Sequence, residues 1–448
     1  MKNLKLNHLK ERMSKEEYEE SAKEALEDLA IGKAKEIYGD IVDNRIVDRL
    51  RGEIDELSKC CELDTIFNVM EVIQYRKEHG DLYLSRLSHS NSLLFYLIGI
   101  GSVNPLPRHT YCPKCHSFYW GNKKTDKCEC CGEPLLEDGY DLPFEPLLDE
   151  IQRNGLRFDF SSTRDSKHVT VPIRYFSNSL IKLAKELGLT QKDIEKNDLE
   201  FAVVSEVIRC LLLPFDENEQ SHYSKKYKKL FICEHTPFIG MPDLSSEVLK
   251  DVMNTYFEGF LSFDDLAKGI AMIHGTGVIT ANDRYVCDYL ISSLLEDAIA
   301  TRDDLYQFLI KSQLSKDDAL LICRETRLCG SGHLSLLSAA KLKEAGVEEE
   351  YINFMKSISY IFHKGHTVAH ARLAIKLANI YLEEPLRYYK AYFTVNKEKL
   401  LKMDKNYDFL KGLSESKSTD MEEVYLAAID LIERGYDPKQ LIAEVLND

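Results

Sequence analysis

Two cysteine pairs carry the clearest chemistry in the sequence. Cys112 and Cys115 form one C-x-x-C pair, and Cys128 and Cys131 form a second after a gap of twelve residues. Pairs at this separation place four thiolates around one tetrahedral zinc ion, and a site closed by four cysteines is structural, not catalytic. The alternative is a set of uncoordinated thiols; a redox dithiol needs only one pair, at a helix N-terminus. Cys130 is a spare thiol that could replace a neighbour.

The flanking segments must form the elements that position this insert. Before it, Ile46, Leu50, Ile54 and Leu57 recur at helical spacing, and residues 1 to about 35 indicate an exposed leading helix. After it come short strand-like pieces, LRFDF and HVTVPI, and from about residue 244 the pattern is almost entirely helical. We therefore expect an α+β fold, with a small mixed region carrying the insert and a large all-helical domain following it.

Composition narrows the class of protein. The chain has 448 residues, of which 44% are hydrophobic and 29% charged, which indicates a globular protein of several domains. The formal net charge is −16, so any contact with nucleic acid must use a local basic patch. No apolar stretch reaches the roughly 18 residues that span a bilayer, and the charged N-terminus lacks a signal sequence. We expect a cytoplasmic protein with no membrane contact and with reduced cysteines.

Several strings, in order, resemble a known family. They are GIGSVNPLPRHTYCPKC, CECCGEPLLEDGYDLPFE, FIGMPDLSSEVLKDVM, SFDDLAKGIAMIHGTGV and YINFMKSISYIFHKGHTVAHARLAIKLANIYLEEPLRYYKAYFTV. Together they resemble the palm and fingers of the bacterial C-family replicative polymerase, the PolC-type DNA polymerase III alpha subunit, from about residue 36 to the C-terminus with one gap. The resemblance implies a truncated palm plus fingers, without counterparts of the family's exonuclease, phosphoesterase-like, duplex-binding and clamp-binding parts.

The resemblance also implies a division of the chain. We expect a helical extension over 1–35, a truncated palm-like region over 36–235 with a zinc insert at 111–133, a helical fingers-like domain over 236–396 and a C-terminal helical segment over 397–448.

The palm aspartates of the resembled family bind two divalent metal ions. Two of them form a D-x-D that precedes N-F-S-G, and aligning Phe160 and Ser161 with the F-S puts Gly155 and Arg157 at those two positions. Asp159 is the only nearby carboxylate, and residues 168–230 offer no match for the strand that carries the third aspartate. We therefore expect no catalytic residues, and binding of Mg²⁺ is not expected.

The family's phosphate-binding loop is rich in glycine and serine, which lets backbone amides approach a triphosphate. In this sequence Ser85, Arg86 and Ser88 match the loop. Leu84, Leu87 and Asn91 replace glycines there, and their Cβ atoms would block close approach. The resemblance leaves the three matching residues as part of a nucleotide or DNA-binding remnant.

A second part of that remnant lies in the fingers. Lys364 and His366 match the family's F-P-K-A-H segment, while His363 and His370 replace a proline and an aromatic residue. His366 and His370 also have the i, i+4 spacing of metal ligands, but no HExxH glutamate lies between them. A solvated helix start, a residual DNA contact and a second metal site are the three readings.

The remaining features each have a functional and a structural interpretation. The basic residues could contact phosphates or form solvated surfaces; they are Lys225, Lys226, Lys228 and Lys229, with Tyr223 and Tyr227 among them, and Arg324, Arg327, Lys341 and Lys343. Gly275, Thr276 and Gly277 indicate a turn between helices, with no phosphate role. Trp120 is the only tryptophan, and packing against the zinc site is favoured over an exposed contact.

The sequence thus favours a catalytically inactive PolC-type polymerase-like protein, a pseudo-polymerase that binds DNA or replication proteins and modulates DNA replication. Its partners would be primer–template or single-stranded DNA, or a replisome protein. One alternative is a decoy that mimics the replisome, or a defence or mobile-element factor, acting through a protein partner. The other is an active DNA-directed DNA polymerase with relocated carboxylates.

Overall fold

A computed structural model describes residues 13–121, 123, 125, 127–163, 166–167, 173–195, 263–281, 298–328, 334–403, 408–415 and 419–447. The strands of these residues are β1 (Tyr83–Arg86), β2 (His109–Tyr111), β3 (Phe118–Trp120), β4 (Leu136–Asp138), β5 (Phe158–Ser162), β6 (Ser166–Lys167) and β7 (Ile173–Ser177). A 3₁₀ helix, Leu87–Asn91, follows β1.

Helices precede and separate these strands, and all the described elements after β7 are helices. Those of the first half are α1 (Lys15–Tyr38), α2 (Asn44–Cys60), α3 (Asp64–Glu78), α4 (Leu93–Leu97), α5 (Glu145–Asn154), α6 (Ser179–Glu186) and α7 (Gln191–Glu195). Those of the second half are α8 (Phe263–His274), α9 (Val278–Ala281), α10 (Arg302–Lys311), α11 (Lys316–Leu328), α12 (Leu336–Glu344), α13 (Glu349–Ser357), α14 (Lys364–Glu383), α15 (Pro385–Val395), α16 (Lys397–Leu400), α17 (Phe409–Glu415), α18 (Thr419–Glu433) and α19 (Pro438–Asn447). The predicted α+β class is confirmed.

The first helix, α1, packs into the core. A capping box between Ser14 and Glu17 starts it, and Ala22, Leu26 and Ala30 are fully buried. The expectation of an exposed leading helix was therefore wrong. Half of the buried stripe is alanine, which lets a neighbouring helix approach closely but gives a weak apolar signal in the sequence. The helix also continues without a break past residue 35.

A four-stranded mixed sheet forms the centre of the first half. Its strand order is β1-β5-β7-β6, with β5 and β7 parallel and the other pairs antiparallel. All of β5 is buried, whereas β7 alternates, with Ile173 and Tyr175 inside and Arg174 and Phe176 outside. The edge at β1 is covered by the Gln191 side chain, which both donates to and accepts from the Tyr83 backbone. One face of this sheet packs on α1 to α5, and the other meets the helical half.

The helical half is joined to the sheet by α14, which packs against β1 and the 3₁₀ helix. Nearly every residue in the first half of α14 is buried. At the far end of the fold Asp430 is buried and accepts hydrogen bonds from Tyr381, Tyr389 and Arg434, which ties α18 to α14 and α15. None of the described helices is both long and apolar enough to cross a membrane.

Candidate functional site

The four predicted metal ligands come together. The Sγ atoms of Cys112, Cys115, Cys128 and Cys131 all lie within 4.8 Å of one another. The sulfurs of Cys112 and Cys131, and those of Cys115 and Cys128, are each 3.4 Å apart. Four sulfurs around one zinc at about 2.3 Å would be about 3.8 Å apart, so the cluster has the size and the ligand chemistry to hold a metal ion.

The two cysteine pairs adopt the same turn. The amide of His116 donates to the Cys112 carbonyl at 3.0 Å, and the amide of Gly132 donates to the Cys128 carbonyl at 2.8 Å. Both turn residues have left-handed backbone, with φ of 59° and 75°, a conformation that glycine adopts easily and histidine does not. This repeated turn holds each pair of thiols on the same side. Cys130, the spare thiol, is exposed.

The strands β2, β3 and β4 form a small antiparallel ribbon that docks the cysteine cluster onto α1 and α2. The ring of His116 contacts the Ile37 carbonyl at 3.0 Å, and a Cβ on Gly39 would lie 2.8 Å from the His116 Cβ. Trp120 is half-buried and donates to Asp43, the residue that caps α2, at 2.9 Å. Trp120 thus packs against α2 and Phe118 of the ribbon, and its packing against the zinc site stays a prediction.

The positions aligned with the catalytic aspartates lie at the start of β5. Asp159 pairs with Arg86 of β1 on one side and with Arg174 of β7 on the other. Paired residues of neighbouring strands face the same side of a sheet. The sheet therefore presents a carboxylate between two guanidinium groups on the face that turns toward the helical half.

Asp159 is fully engaged by one of these arginines. Arg174 donates from Nε to Oδ1 at 2.8 Å and from Nη2 to Oδ2 at 2.7 Å, a bidentate pair. Asp159 is 4% exposed, so neither oxygen faces open solvent. A carboxylate bound in this way is a poor ligand for Mg²⁺, since the metal would have to displace the guanidinium group.

The two positions that align with the family's aspartates, Gly155 and Arg157, lie in different surroundings. Gly155 ends α5: its amide donates to the Ile151 carbonyl at 2.8 Å, and its φ of 72° is left-handed. A side chain there would be strained, so glycine suits the helix end. Arg157 is exposed, two residues before Asp159. Among the described residues, the start of β5 brings no second carboxylate to the place where the family needs a pair.

The loop aligned with the phosphate-binding segment is closed by internal contacts. Ser85 is buried and accepts from the amide of Ser102 at 3.1 Å. Ser92 caps α4 and donates to the buried Glu53 at 2.8 Å, and Arg49 pairs with Glu53 at 3.0 Å. Arg86 is half-buried, with its guanidinium carbon 4.8 Å from the ring centre of Phe176. The side chains of Leu87 and Ser88 lie outside the described part of the chain.

A carboxylate from the chain itself sits at the N-terminus of α14. Asp303 accepts from the Lys364 amide at 2.7 Å and from the Asn91 side chain at 2.5 Å. Burial raises the pKa of Asp303, while these two hydrogen bonds act to lower it. Helix N-termini favour anions, so Asp303 satisfies a position that could otherwise attract an anionic ligand. No local pattern predicts this contact, because Asp303 is 212 residues from Asn91 and 61 residues from Lys364.

The packing between α14 and the loop leaves little room. A Cβ on Gly365 would lie 2.4 Å from the Ser90 Cβ and 3.3 Å from a methyl of Leu142. Only a residue without a side chain allows this approach. The fingers-like helix therefore rests directly on the loop.

The predicted histidine cluster is buried, not solvated. The rings of His366 and His370 are stacked with centres 4.4 Å apart, and the His370 Nε2 lies 3.4 Å from the Ser161 hydroxyl. They are 5% and 7% exposed. Burial lowers the pKa of His370 to about 3 and that of His366 well below its usual value. The solvated helix start was therefore the wrong description, and the described residues place no third metal ligand beside this pair.

Most of the described basic candidates are already paired. Arg324 contacts Asp149 at 3.2 Å, Lys341 pairs with Asp318, and Lys343 contacts Glu349 at 3.0 Å. The Arg327 side chain and residues 223–229 lie outside the described residues. The turn predicted between helices is present, with Gly277 at φ 84° and the Thr276 amide donating to the Tyr360 carbonyl at 2.9 Å.

Comparison with known proteins supports the class that these features define. The family model described as the bacterial DNA polymerase III alpha NTPase domain matches residues 24–185. The match begins inside α1, earlier than the resemblance from residue 36 predicted.

The similarity extends beyond that domain to PolC-type DNA polymerase III. The enzyme of Thermotoga petrophila is 24% identical over 84% of this chain and 35% of its own length. The enzyme of Caldanaerobacter subterraneus subsp. tengcongensis is 25% identical over 90% of this chain and 36% of its own length. The enzyme of Staphylococcus aureus is 22% identical over 96% of this chain and 36% of its own length. The chain is similar to the PolC-type DNA polymerase III alpha subunit over most of its own length, and it spans about a third of the length of these curated relatives.

Proposed function

We propose that this protein is a catalytically inactive polymerase-like protein that acts by binding in the context of DNA replication. The observation that carries the proposal is the bidentate pairing of Asp159 with Arg174. Nucleotidyl transfer by two metal ions needs carboxylates that are free to hold the metals. Here the one carboxylate at the start of β5 is bound by an arginine and lies opposite a second, Arg86.

The state of the phosphate-binding loop supports the same proposal. Ser85 and Ser92 are buried and hydrogen-bonded within the protein, and Gly365 of α14 rests on Ser90. A triphosphate needs several backbone amides that point into an open cradle. Loss of the metal site and closure of the cradle are separate changes, and either would stop turnover.

The role that remains for the fold is binding. The net charge of −16 and the pairing of Arg324, Lys341 and Lys343 disfavour broad contact of the described fingers-like helices with DNA. They leave two routes by which the protein could modulate replication: a local nucleic-acid contact on the sheet, or a replisome protein as partner. The decoy and mobile-element readings are variants of the second route.

We also infer that the cysteine cluster holds zinc with a structural role. Thiolate ligands favour zinc over magnesium or calcium, and four of them leave no open position for catalysis. The ribbon has few buried apolar residues of its own, so a metal would supply much of its stability.

Primer extension with the purified, zinc-loaded chain tests the loss of turnover. The assay would compare the chain with its Asp159→Asn variant in Mg²⁺ and in Mn²⁺. We expect no extension above a no-protein control from either. Metal-dependent extension by the unmodified chain that disappears in Asp159→Asn would overturn the proposal and favour the active alternative.

A further inference from the structure

The sheet face that turns toward the helical half is left exposed at β7, where cations surround an aromatic ring. On β7, Arg174 and Phe176 both point away from the core, and the Phe176 side chain is 36% exposed. The guanidinium carbons of Arg86 and Arg174 lie 4.8 Å and 5.7 Å from the Phe176 ring centre. Arg157 is exposed and precedes Asp159 by two residues, the spacing at which extended backbone places side chains on the same side.

The local charge of this face is opposite to that of the whole protein. Among the side chains that the structure describes here, Arg86, Arg157 and Arg174 supply three positive charges and Asp159 one negative charge, a balance of +2. The chain as a whole carries −16. A face that would hold metal cations in a polymerase is suited here to an anion.

Arg174 is also held in place before any ligand arrives. Asp159 takes two of the five N–H donors of Arg174, which fixes the guanidinium group and leaves the others for a ligand. About half of the Arg174 side chain is exposed. An ordered guanidinium group loses less conformational entropy on binding than a free one.

We propose that this face, made of Arg86, Arg157, Arg174 and Phe176, binds single-stranded nucleic acid without a metal ion, with a base on Phe176 and phosphates on the arginines. An aromatic platform beside cations is the pattern by which proteins bind single strands, since every base has a face that stacks. An acidic peptide would use the arginines but has no need of the exposed ring. The inference rests on the proposed loss of the metal site and names the partner of that site.

The test is a titration of a fluorescent 20-nucleotide oligo-dT with the full zinc-loaded chain, in magnesium-free buffer without chelator, at several salt concentrations. We expect Phe176→Leu to weaken binding at least about fivefold. Arg157→Gln should weaken it and reduce the slope of log affinity against log salt by about 0.7. Thermal unfolding of each variant confirms that it is folded.

Two controls match these variants. Tyr436→Leu removes an aromatic ring of similar exposure, 37%, from the C-terminal segment, and Lys343→Gln removes an exposed charge from α12. Both should bind as the unmodified chain does. Absence of binding at low salt, or equal effects of Phe176→Leu and Tyr436→Leu, would overturn the proposal.

Competition by poly-glutamate separates nucleic acid from an acidic protein partner. If poly-glutamate displaces the oligonucleotide with equal potency per charge, and Phe176→Leu binds both unchanged, the face is for an acidic protein and our assignment is wrong. The outcome is independent of primer extension: a chain that binds in magnesium-free buffer and also extends primers would overturn the proposed function and leave this binding face standing.

Discussion

At the scale of single residues, the mixed sheet holds an ion pair at the position that aligns with the metal-binding aspartates of the resembled family. Asp159 is buried and its partner Arg174 is half-exposed. Removing one member of such a pair leaves the other without compensation, whereas removing both does not. The pair is therefore a structural feature that mutagenesis can separate from any role in binding.

We expect Arg174→Ala to destabilise the protein by about 1–3 kcal/mol, because it leaves the Asp159 carboxylate buried and unpaired. The double variant Arg174→Ala with Asp159→Asn should recover most of this loss. Midpoints of urea unfolding measure both. A single variant as stable as the unmodified chain would show that Asp159 is solvated when Arg174 is absent.

At the scale of elements, the contact between α14 and the loop after β1 depends on one glycine. In an exposed helix, replacing glycine by alanine stabilises by roughly 0.5–1 kcal/mol. At Gly365 the added Cβ would lie 2.4 Å from the Ser90 Cβ, closer than any packed pair allows. Replacing glycine by alanine should therefore raise the stability of the protein at an exposed helical position and lower it at Gly365.

We predict that Gly365→Ala lowers the unfolding midpoint, while Gly32→Ala in α1 raises it. Gly32 is exposed, and a Cβ there would meet nothing within 4 Å. Thermal unfolding of the two variants side by side gives the comparison. Equal stabilisation by both would mean that α14 does not rest on the loop in solution.

The cysteine ribbon is the second element with a sharp test, since the only tryptophan of the chain lies on β3. We expect about one zinc per chain by elemental analysis. Its removal with a chelator should shift Trp120 emission to longer wavelength, because the ribbon would detach from Asp43 and the ring would become solvated.

Two variants calibrate the zinc measurement. Cys128→Ser should lose the metal and show the shifted emission without chelator. Cys130→Ser should keep both metal and emission, because Cys130 is exposed and outside the cluster. Loss of the metal in Cys130→Ser would show that Cys130 is a ligand and that our set of four ligands is wrong.

How far the sequence predicted the fold depends on whether a feature is local. The spacing of Ile46, Leu50 and Ile54 predicts one face of a helix, and these residues are buried on α2. The spacing of the cysteines predicts a cluster, and the four Sγ atoms lie together in the structure. The capture of Asp303 by Lys364 and Asn91 was missed, because tertiary packing alone joins segments so far apart. The sequence does not predict the burial of α1, because half of the buried residues of this helix are alanines, which give a weak apolar signal.

At the scale of the whole molecule, the fold buries neutral histidines in the core of the first half and where the helical half meets the sheet. His89 is fully buried against Phe158 and Phe160, and burial lowers its pKa to about 3, as for His370. The pKa of His366 is lowered in the same direction. Each of these groups stays neutral in the folded protein at a pH where the unfolded chain would bind a proton.

The sign of the resulting pH dependence follows from these lowered pKa values. Above about pH 6.5, the ordinary histidine pKa, both states are neutral and the histidines add no pH dependence. Below it the unfolded state binds more protons, so stability falls as pH falls, by up to about 1.4 kcal/mol per pH unit for each histidine. The window extends from about 6.5 down to the folded pKa near 3.

We therefore predict that the urea midpoint falls between pH 7 and pH 5. His89→Leu should reduce this fall by the contribution of one histidine to the pH dependence of stability. Within the described part of the chain, neither ring nitrogen of His89 has a hydrogen-bond partner, so leucine removes the titrating group without breaking a described hydrogen bond. His79→Gln, at an exposed position, is the matched control. An unchanged pH dependence in His89→Leu would mean that the His89 ring binds a proton in the folded protein, and that its packing against Phe158 and Phe160 opens well before the protein unfolds.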